Sequence, residues 1–402
     1  MWLLKRLLLG LAATALLVAG KIWLEHTSFG HRIEVAAFEF LQAPLSPFTG
    51  PEPLPIIVVD ISRLPGGELE QPTPRDKLRE MLTAITEQRP KVVGLDIDFS
   101  PTTSGWVSPD DPKFFDFCMQ MMQARKVPIF LGVYRARAES SDAWLGIPRF
   151  KSLAAAGVVK ADTSRVPRWL KSDRSVELLP TLGYALANEY RKPLPGPPWW
   201  LLPLVETAAQ DNKHGRVIDA GEGMTVVETL INYSKLDQLR YETVATVSAQ
   251  SIREEQAKFT GRMVLLGGAS RSYDNYVVPG RTDAIPGVYV LASAAYTLAR
   301  EPLYELKAWV RFAIDLLAAL VIMLGAARLH RRYAGKPDEL RRRFNRFLIT
   351  VILGALALGL LLVVSTGVMW LDFLLVILAI LMHPAVETRL QGMAHMDSDS
   401  RH

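Results

Sequence analysis

"PKVVGLDIDFSP", residues 90–101, is a short apolar run that closes on two carboxylates, Asp96 and Asp98. A short, β-branched run bounded by Pro and by a polar loop predicts a buried strand over 91–97. The same grammar recurs on either side. "IIVVD" (56–60), entered from "PEPLP", predicts an earlier strand. Between the two, Thr73 and Asp76 make a capping-box pattern, Pro74 suits the first helical position, and Leu78, Met81, Leu82 and Ile85 recur at helical spacing. A second helix is predicted from Asp111 and Pro112 to about Lys126, and "VPIFLGVY" predicts a third strand. Strands joined through single helices form right-handed parallel crossovers, so the fold class is α/β, a mostly parallel sheet with flanking helices.

From 135 to 260 the pattern is less regular. A helix is expected near 178–191, followed by the Pro and Trp cluster "KPLPGPPWWLLP", a strand in "MTVVETLINY", a helix near 247–258 and a strand in "RMVLLGG". A last helix is expected over 287–299. No internal repeat or low-complexity linker interrupts the chain.

Hydropathy adds a membrane base to this domain. Residues 7–24 follow Lys5 and Arg6, and three further apolar spans cover about 306–327, 346–366 and 368–384. The expectation is four transmembrane helices, one N-terminal and three C-terminal. Arg328, Arg331, Arg332, Lys336, Arg341, Arg342, Arg343 and Arg346 crowd the connection 328–346 against only Asp338 and Glu339, which places that loop in the cytoplasm. Residues 1–24 then form the first span and 25–304 one extracytoplasmic domain, periplasmic in a Gram-negative cell. Residues 305–385 form the other spans and 386–402 a short cytoplasmic tail, with both termini inside. Cleavage of residues 1–20 as a signal peptide is the alternative, since small residues in "LVAGK" follow the apolar run.

The net charge of +5 does not signal nucleic acid. Residues 22–304 hold 31 Lys and Arg against 33 Asp and Glu, so the basic excess belongs to the membrane flanks. The one cysteine, Cys118, excludes an internal disulfide and shares a helical apolar face with Phe114, Met121 and Met122, which predicts a buried thiol. With scattered histidines and no Cys pairs, neither a zinc site nor any other cofactor is expected.

"PIIVVDI", "PTPRDKLREMLTAI", "PKVVGLDIDFS", "INYSK" and "GRMVLLGGASRSYDNYVVPG", followed by "IPGVYVLASAAYTLA", resemble in this order the type 2 CHASE sensory domain, over roughly residues 30–305. The resemblance implies an extracytoplasmic sensory module with one membrane helix before it and three after. Two departures stand out. The family's closing motif reads Pro-Gly-Val-Glu-x-His-Ala-Asn, whereas Pro286, Gly287 and Val288 are followed here by Tyr289, Leu291 and Ser293 in the Glu, His and Asn places. Members usually continue into a cyclase, kinase or diguanylate cyclase domain, whereas this sequence ends after "HPAVETRLQGMAHMDSDSRH".

Ligands of open α/β sheets bind outside the carboxyl ends of the strands, where Asp60, Asp96 and Asp98 fall. Asp96 and Asp98 share a face if the strand stays extended, and Asp60 joins them if the first two strands are neighbours. The bland reading, that these aspartates cap turns and helix starts, competes with a ligand-lining role and, more remotely, with a metal or catalytic site. Arg75, Arg271 and Asp274 complete the candidate ligand set. Gly267 and Gly268 are read as a tight turn, with an anion-binding loop as the alternative, and Trp106 either anchors a lid or fills the core edge. Within the second span, Asp315 needs a partner, for which Arg311 and Lys21 are the candidates.

The resulting expectation is a stand-alone, non-enzymatic sensory or regulatory protein of the bacterial inner membrane. Its partners would be the lipid bilayer, a small-molecule ligand and a separate protein carrying the output function. The rival readings are a periplasmic metal-assisted hydrolase using Asp60, Asp96 and Asp98, and a non-sensing scaffold subunit of a membrane complex.

Overall fold

The computed structural model describes residues 20–377, except 22, 25–26, 46–52, 65–71, 101–105, 135–143, 158–162, 172–177, 207–217, 220–224, 242–244, 270–273, 334–335, 372 and 375–376. In chain order the elements are α1 (Ser28–Gln42), β1 (Ile56–Asp60), α2 (Arg75–Glu87), β2 (Val92–Asp96), α3 (Asp111–Arg125), β3 (Ile129–Val133) and β4 (Ala154–Ala156). There follow β5 (Arg165–Lys171), β6 (Leu178–Pro180), α4 (Leu182–Tyr190), β7 (Ile218–Asp219), β8 (Thr225–Leu230), α5 (Leu236–Tyr241) and β9 (Thr246–Ser248). The last are β10 (Met263–Gly267), β11 (Asn275–Val277), β12 (Ala284–Pro286), α6 (Gly287–Ala299), α7 (Ala308–Tyr333) and α8 (Pro337–Thr366). They divide into two compact units, 46–198 with 207–304, and 20–45 with 199–206 and the segment from 305 onward.

The first unit is built on a six-stranded sheet of order β4-β3-β2-β10-β1-β9, every pair parallel. Alternation along each strand feeds two separate cores. Ile57, Val59, Val93, Leu95, Val264 and Leu266 face α2 and α3, while Ile56, Val58, Val92, Met263 and Leu265 face α4 and α6. Strands buried on both faces must be apolar throughout, which is why "IIVV" and "MVLL" read as continuous runs rather than alternating ones. A second, antiparallel sheet of order β6-β5-β8-β7 accounts for the irregular middle of the chain.

Several local expectations change. The capping box before α2 does not form: Pro74 is the N-cap, no side chain caps the helix, and the Thr73 carbonyl accepts from Arg75 Nη1 at 2.9 Å. The helix expected near 178–191 starts at Leu182, because Leu178–Pro180 pairs with β5 and Thr181 Oγ1 caps from the junction. The helix expected over 247–258 is two short 3-10 turns, 249–251 and 256–259. Ser248, in extended conformation, N-caps the first of these turns by accepting from Gln250 N.

The second unit holds α7 and α8, the two described helices long and apolar enough to cross a membrane. At 1.5 Å per residue they run about 39 and 45 Å, longer than a hydrocarbon core of about 30 Å. Of the four expected spans, 7–24 and 368–384 lie mostly outside the described residues, as does the tail 386–402. The last of these expected spans does not open as a helix: Gly367, left-handed at φ 69°, ends α8, and Val368–Met369 is a two-residue strand. The basic connection 328–346 is also less of a loop than its charge implies. Helix α7 continues to Tyr333 and α8 starts at Pro337, so Arg and Lys, good helix formers, extend both helices past their apolar cores. Lys336 and Arg343 flank Glu339 at helical spacing, at 3.8 and 3.9 Å. The two helices pack closely where Gly325 faces the Phe347 ring; a Cβ there would overlap Phe347 Cζ.

Candidate functional site

The carboxyl edge of the parallel sheet is set by register. Asp60 of β1 pairs with Gly267 of β10, and Gly267 pairs with Asp96 of β2. β1 and β2 are therefore not neighbours, contrary to the condition under which Asp60 would join the other two aspartates. With strands about 4.8 Å apart, β10 holds the Asp60 and Asp96 backbones about 10 Å from each other. Asp60 is therefore set one strand away from Asp96 and does not flank it on a neighbouring strand, as a cluster sharing a cation or protons would.

Two of these aspartates are engaged by their own turns. Asp60 Oδ1 accepts from Ser62 N at 2.9 Å, from Ser62 Oγ at 2.6 Å and from Ala269 N at 3.0 Å, so it ties the end of β1 to the turn after β10. Asp98 Oδ1 accepts from Ser100 N at 2.8 Å and from the Ser100 hydroxyl, and that same Ser100 Oγ takes the Tyr134 amide at 2.8 Å. Both are Asx turns on an Asp-x-Ser sequence. Asp96 differs: it is buried and takes the hydroxyl of Tyr134, one residue past β3.

Helix α6 points its N-terminus at this edge. Gly267 lets it come close, since a Cβ on Gly267 would meet Val288 Cγ2 at 2.6 Å and Asp96 Cβ at 3.0 Å. The glycine of "LLGG" serves helix–sheet packing. Asp274 also reaches this helix start. Its carbonyl accepts from Gly287 N at 2.9 Å, and its carboxylate sits where a Gly287 side chain would be, 2.7 Å from the Cβ position. Burial raises the Tyr276 hydroxyl's pKa, and the charge of Asp274, the hydrogen bond to it and the charge of Asp96 raise it further. The edge thus gathers two acid–tyrosine pairs, Asp96 with Tyr134 and Asp274 with Tyr276.

Chemically this is a set of hydrogen-bond donors and acceptors. A tyrosine held protonated donates well but is a poor general base near neutrality. Neither tyrosine was singled out from sequence, although Tyr134 ends "IFLGVY" at the edge where ligands bind and Tyr276 follows Asp274 in "DNY".

The remaining expected site residues go elsewhere. Arg75 is buried among aromatic rings: its Nε donates to Asp111 Oδ1 at 2.6 Å, and its guanidinium carbon lies 4.4 Å from the Phe99 ring centroid. Asp111 Oδ2 also accepts from Val107 N and Ser108 N, both at 2.9 Å, so one ion pair joins α2, α3 and the loop between β2 and α3. Trp106 packs edge-on against Phe115 at 5.5 Å and Phe150 at 6.1 Å, filling the border of that core. Cys118 is fully buried, and burial pushes its thiol pKa up. Arg271 lies outside the described residues.

In α6 the departures from the family motif become core. Tyr289, Leu291 and Ser293 are 4%, 1% and 1% exposed. Leu291 adds apolar packing where the family carries an ionisable group, which fits a helix buried along its full length.

In the second unit, Lys21 Nζ lies 2.5 Å from Asp315 Oδ2, with side chains 6% and 9% exposed. Of the two candidate partners, Lys21 holds the carboxylate, and Arg311 Nε meets no hydrogen-bond partner among the described residues.

Compared with known proteins, the chain matches the CHASE2 domain over residues 10–327, most of its length. No curated protein and no solved structure matches.

Proposed function

The chain belongs to the CHASE2 domain family of extracytoplasmic sensory domains, and from that premise we propose that it is a multi-pass sensory protein of the bacterial inner membrane. Its α/β unit binds a polar small molecule or a protein partner outside the cell membrane. Both termini are cytoplasmic, and the output is carried by a separate effector that meets the chain through its membrane helices. In this reading the chain is not itself an enzyme, which the engagement of Asp60 Oδ1 and Asp98 Oδ1 by their own turns supports.

The observation that carries the reading is the course of α6. Its first turn lies against Gly267 at the carboxyl edge, and its last residue, Ala299, is separated from the start of α7 at Ala308 by residues 300–307 alone. A molecule held by the acid–tyrosine pairs bears on the start of a buried helix whose end leads into a membrane helix. It changes the output only if it binds two arrangements of that helix with different affinity. The membrane half of the reading is supported by α7 and α8, whose Leu316, Leu317, Leu324, Leu353 and Leu361 are exposed in the isolated chain and need lipid or protein to cover them.

Purification of the full chain from native membranes, with identification of copurifying proteins and retained small molecules, tests this. A specific protein partner, or a polar molecule released on denaturation, is expected. Recovery of a lone, ligand-free chain contradicts the proposal.

A further inference from the structure

The segment "WWLLPLVE", residues 199–206, sits in the middle of the sequence of the α/β domain, yet it is built into the same compact unit as the membrane helices. Its backbone is stitched to the residues that lead into α7. Glu206 N donates to Glu305 O at 2.7 Å, Lys307 N donates to Leu204 O at 2.9 Å, and Val205 bridges Leu306 in antiparallel fashion. The Lys307 ammonium donates to the Leu202 carbonyl at 3.1 Å. Leu201 and Val205 are buried and hold the segment down, whereas Trp199, Trp200 and Leu202 are 82%, 48% and 47% exposed.

Two adjacent tryptophans and a leucine left in water are costly, and a soluble surface has no use for them. Their level along α7 identifies what covers them. Trp309, in the first turn of α7, is itself 57% exposed. From Trp309 to Arg328, where the basic end begins, the helix rises about 28 Å, close to the thickness of a hydrocarbon core. Trp309 therefore marks the interface opposite the basic end, the level at which tryptophans collect because their rings are apolar and their N–H is wet. Lys307, which holds Leu202, lies two residues before it.

We propose that residues 199–206 form a second, non-spanning membrane contact. Trp199, Trp200 and Leu202 enter the extracytoplasmic interfacial layer of the bilayer that α7 crosses, so that the α/β domain's own chain touches lipid at a point far in sequence from either membrane region. The occupant is lipid, at the boundary of headgroup and acyl chain. This rests on the membrane-spanning reading of α7 given above.

The test uses the full chain in phosphatidylethanolamine–phosphatidylglycerol nanodiscs, with an environment-sensitive fluorophore on single introduced cysteines. Buried Cys118 stays in place, and the unsubstituted chain sets the labelling background. A label at Pro203→Cys, which leaves both tryptophans intact, is expected to emit to the blue of a label at Val277→Cys and to be quenched by headgroup nitroxide lipid more than by mid-chain nitroxide lipid. A label at Leu316→Cys is expected to be quenched by the mid-chain nitroxide, which checks the span independently. If Leu316→Cys is quenched and Pro203→Cys is not, the interfacial contact is overturned while the span stands. If neither is quenched, the span falls and the contact with it. Replacing Trp199 and Trp200 by Ser should abolish the shift and quenching at position 203 and leave Leu316→Cys unchanged. Persistence of the signal at 203 overturns the role assigned to the tryptophans.

Discussion

A side chain placed on Gly267 would lie 2.6 Å from Val288 Cγ2, so the first turn of α6 rests directly on the backbone of the central strand β10. Gly94 is a useful contrast, because a Cβ there meets only the methyl ends of Leu182 and Leu186, at 3.1 and 3.2 Å. Gly267→Ala is expected to destabilise the chain by about 1–3 kcal/mol and Gly94→Ala by less, since branched Val288 cannot swing away and leucine methyls can. Thermal unfolding in detergent ranks the two. Equal costs would mean that α6 shifts freely over the edge.

Asp60 provides a test of turn against ligand. Asparagine keeps the Oδ1 that accepts from Ser62 and Ala269, whereas alanine leaves those donors unmet. Asp60→Asn should cost less than about 1 kcal/mol and Asp60→Ala about 1–3 kcal/mol. A carboxylate held for a cation would behave differently: the Asn variant would lose as much as the Ala variant, in metal-dependent stability or in activity.

Arg75 and Asp111 are both 1% exposed. Asp111→Ala strands a buried guanidinium and should cost about 3–5 kcal/mol, while Arg75→Met with Asp111→Asn should recover part of that loss. Denaturant unfolding of the unsubstituted chain, Asp111→Asn, Arg75→Met and the double variant gives the coupling. An additive double variant would show that the pair contributes only as two separate side chains.

The same logic applies to Lys21 and Asp315. Asp315→Leu alone removes the carboxylate from beside the Lys21 ammonium, and Lys21→Leu in addition removes that charge. Thermal unfolding should show the single variant less stable than the double. The reverse order would mean that Lys21 finds another anion.

Alkaline pH should destabilise the α/β unit. Burial pushes Tyr304 up to about 12, against a partial lowering by Arg168, and Tyr276 is raised as well. The folded state holds these phenol protons more tightly than the unfolded state does. Their contribution is therefore fully present below the ordinary tyrosine value of about 10 and is lost as pH rises from about 10 toward about 12. Unfolding midpoints should fall across that interval, with a late-titrating fraction in the tyrosine absorbance. A single transition near 10 with unchanged midpoints would contradict this.

Much of the architecture was legible because it is local. The apolar runs at 56–60, 92–96 and 263–267 and the helical spacing of Leu78, Met81, Leu82 and Ile85 are strand and helix signals carried within one segment. The position of β10 between β1 and β2 was not legible, because pairing across some two hundred residues leaves no local mark. That one insertion decides the fate of Asp60. The turn reading of the aspartates has its mark in the sequence: Asp60-Ile61-Ser62 and Asp98-Phe99-Ser100 share one pattern, and Ser234 N bonds Asn232 Oδ1 at 2.9 Å in a third instance. A cation in the first turn of a helix reads as a pairing residue or as one facing the cleft, and only the tertiary approach of Asp111 and Phe99 shows that Arg75 is paired and buried.

Sensing across the membrane requires an extracytoplasmic α/β unit carried by membrane helices whose basic connection is cytoplasmic. Labelling of single cysteines in intact spheroplasts with a membrane-impermeant maleimide tests it most directly, at Val277, 70% exposed in β11, and at Lys336, whose side chain is 73% exposed between α7 and α8. The prediction is that Val277→Cys reacts in intact spheroplasts and Lys336→Cys only after permeabilisation. Reaction at position 336 in intact spheroplasts, or protection at 277 until they are broken, would contradict it.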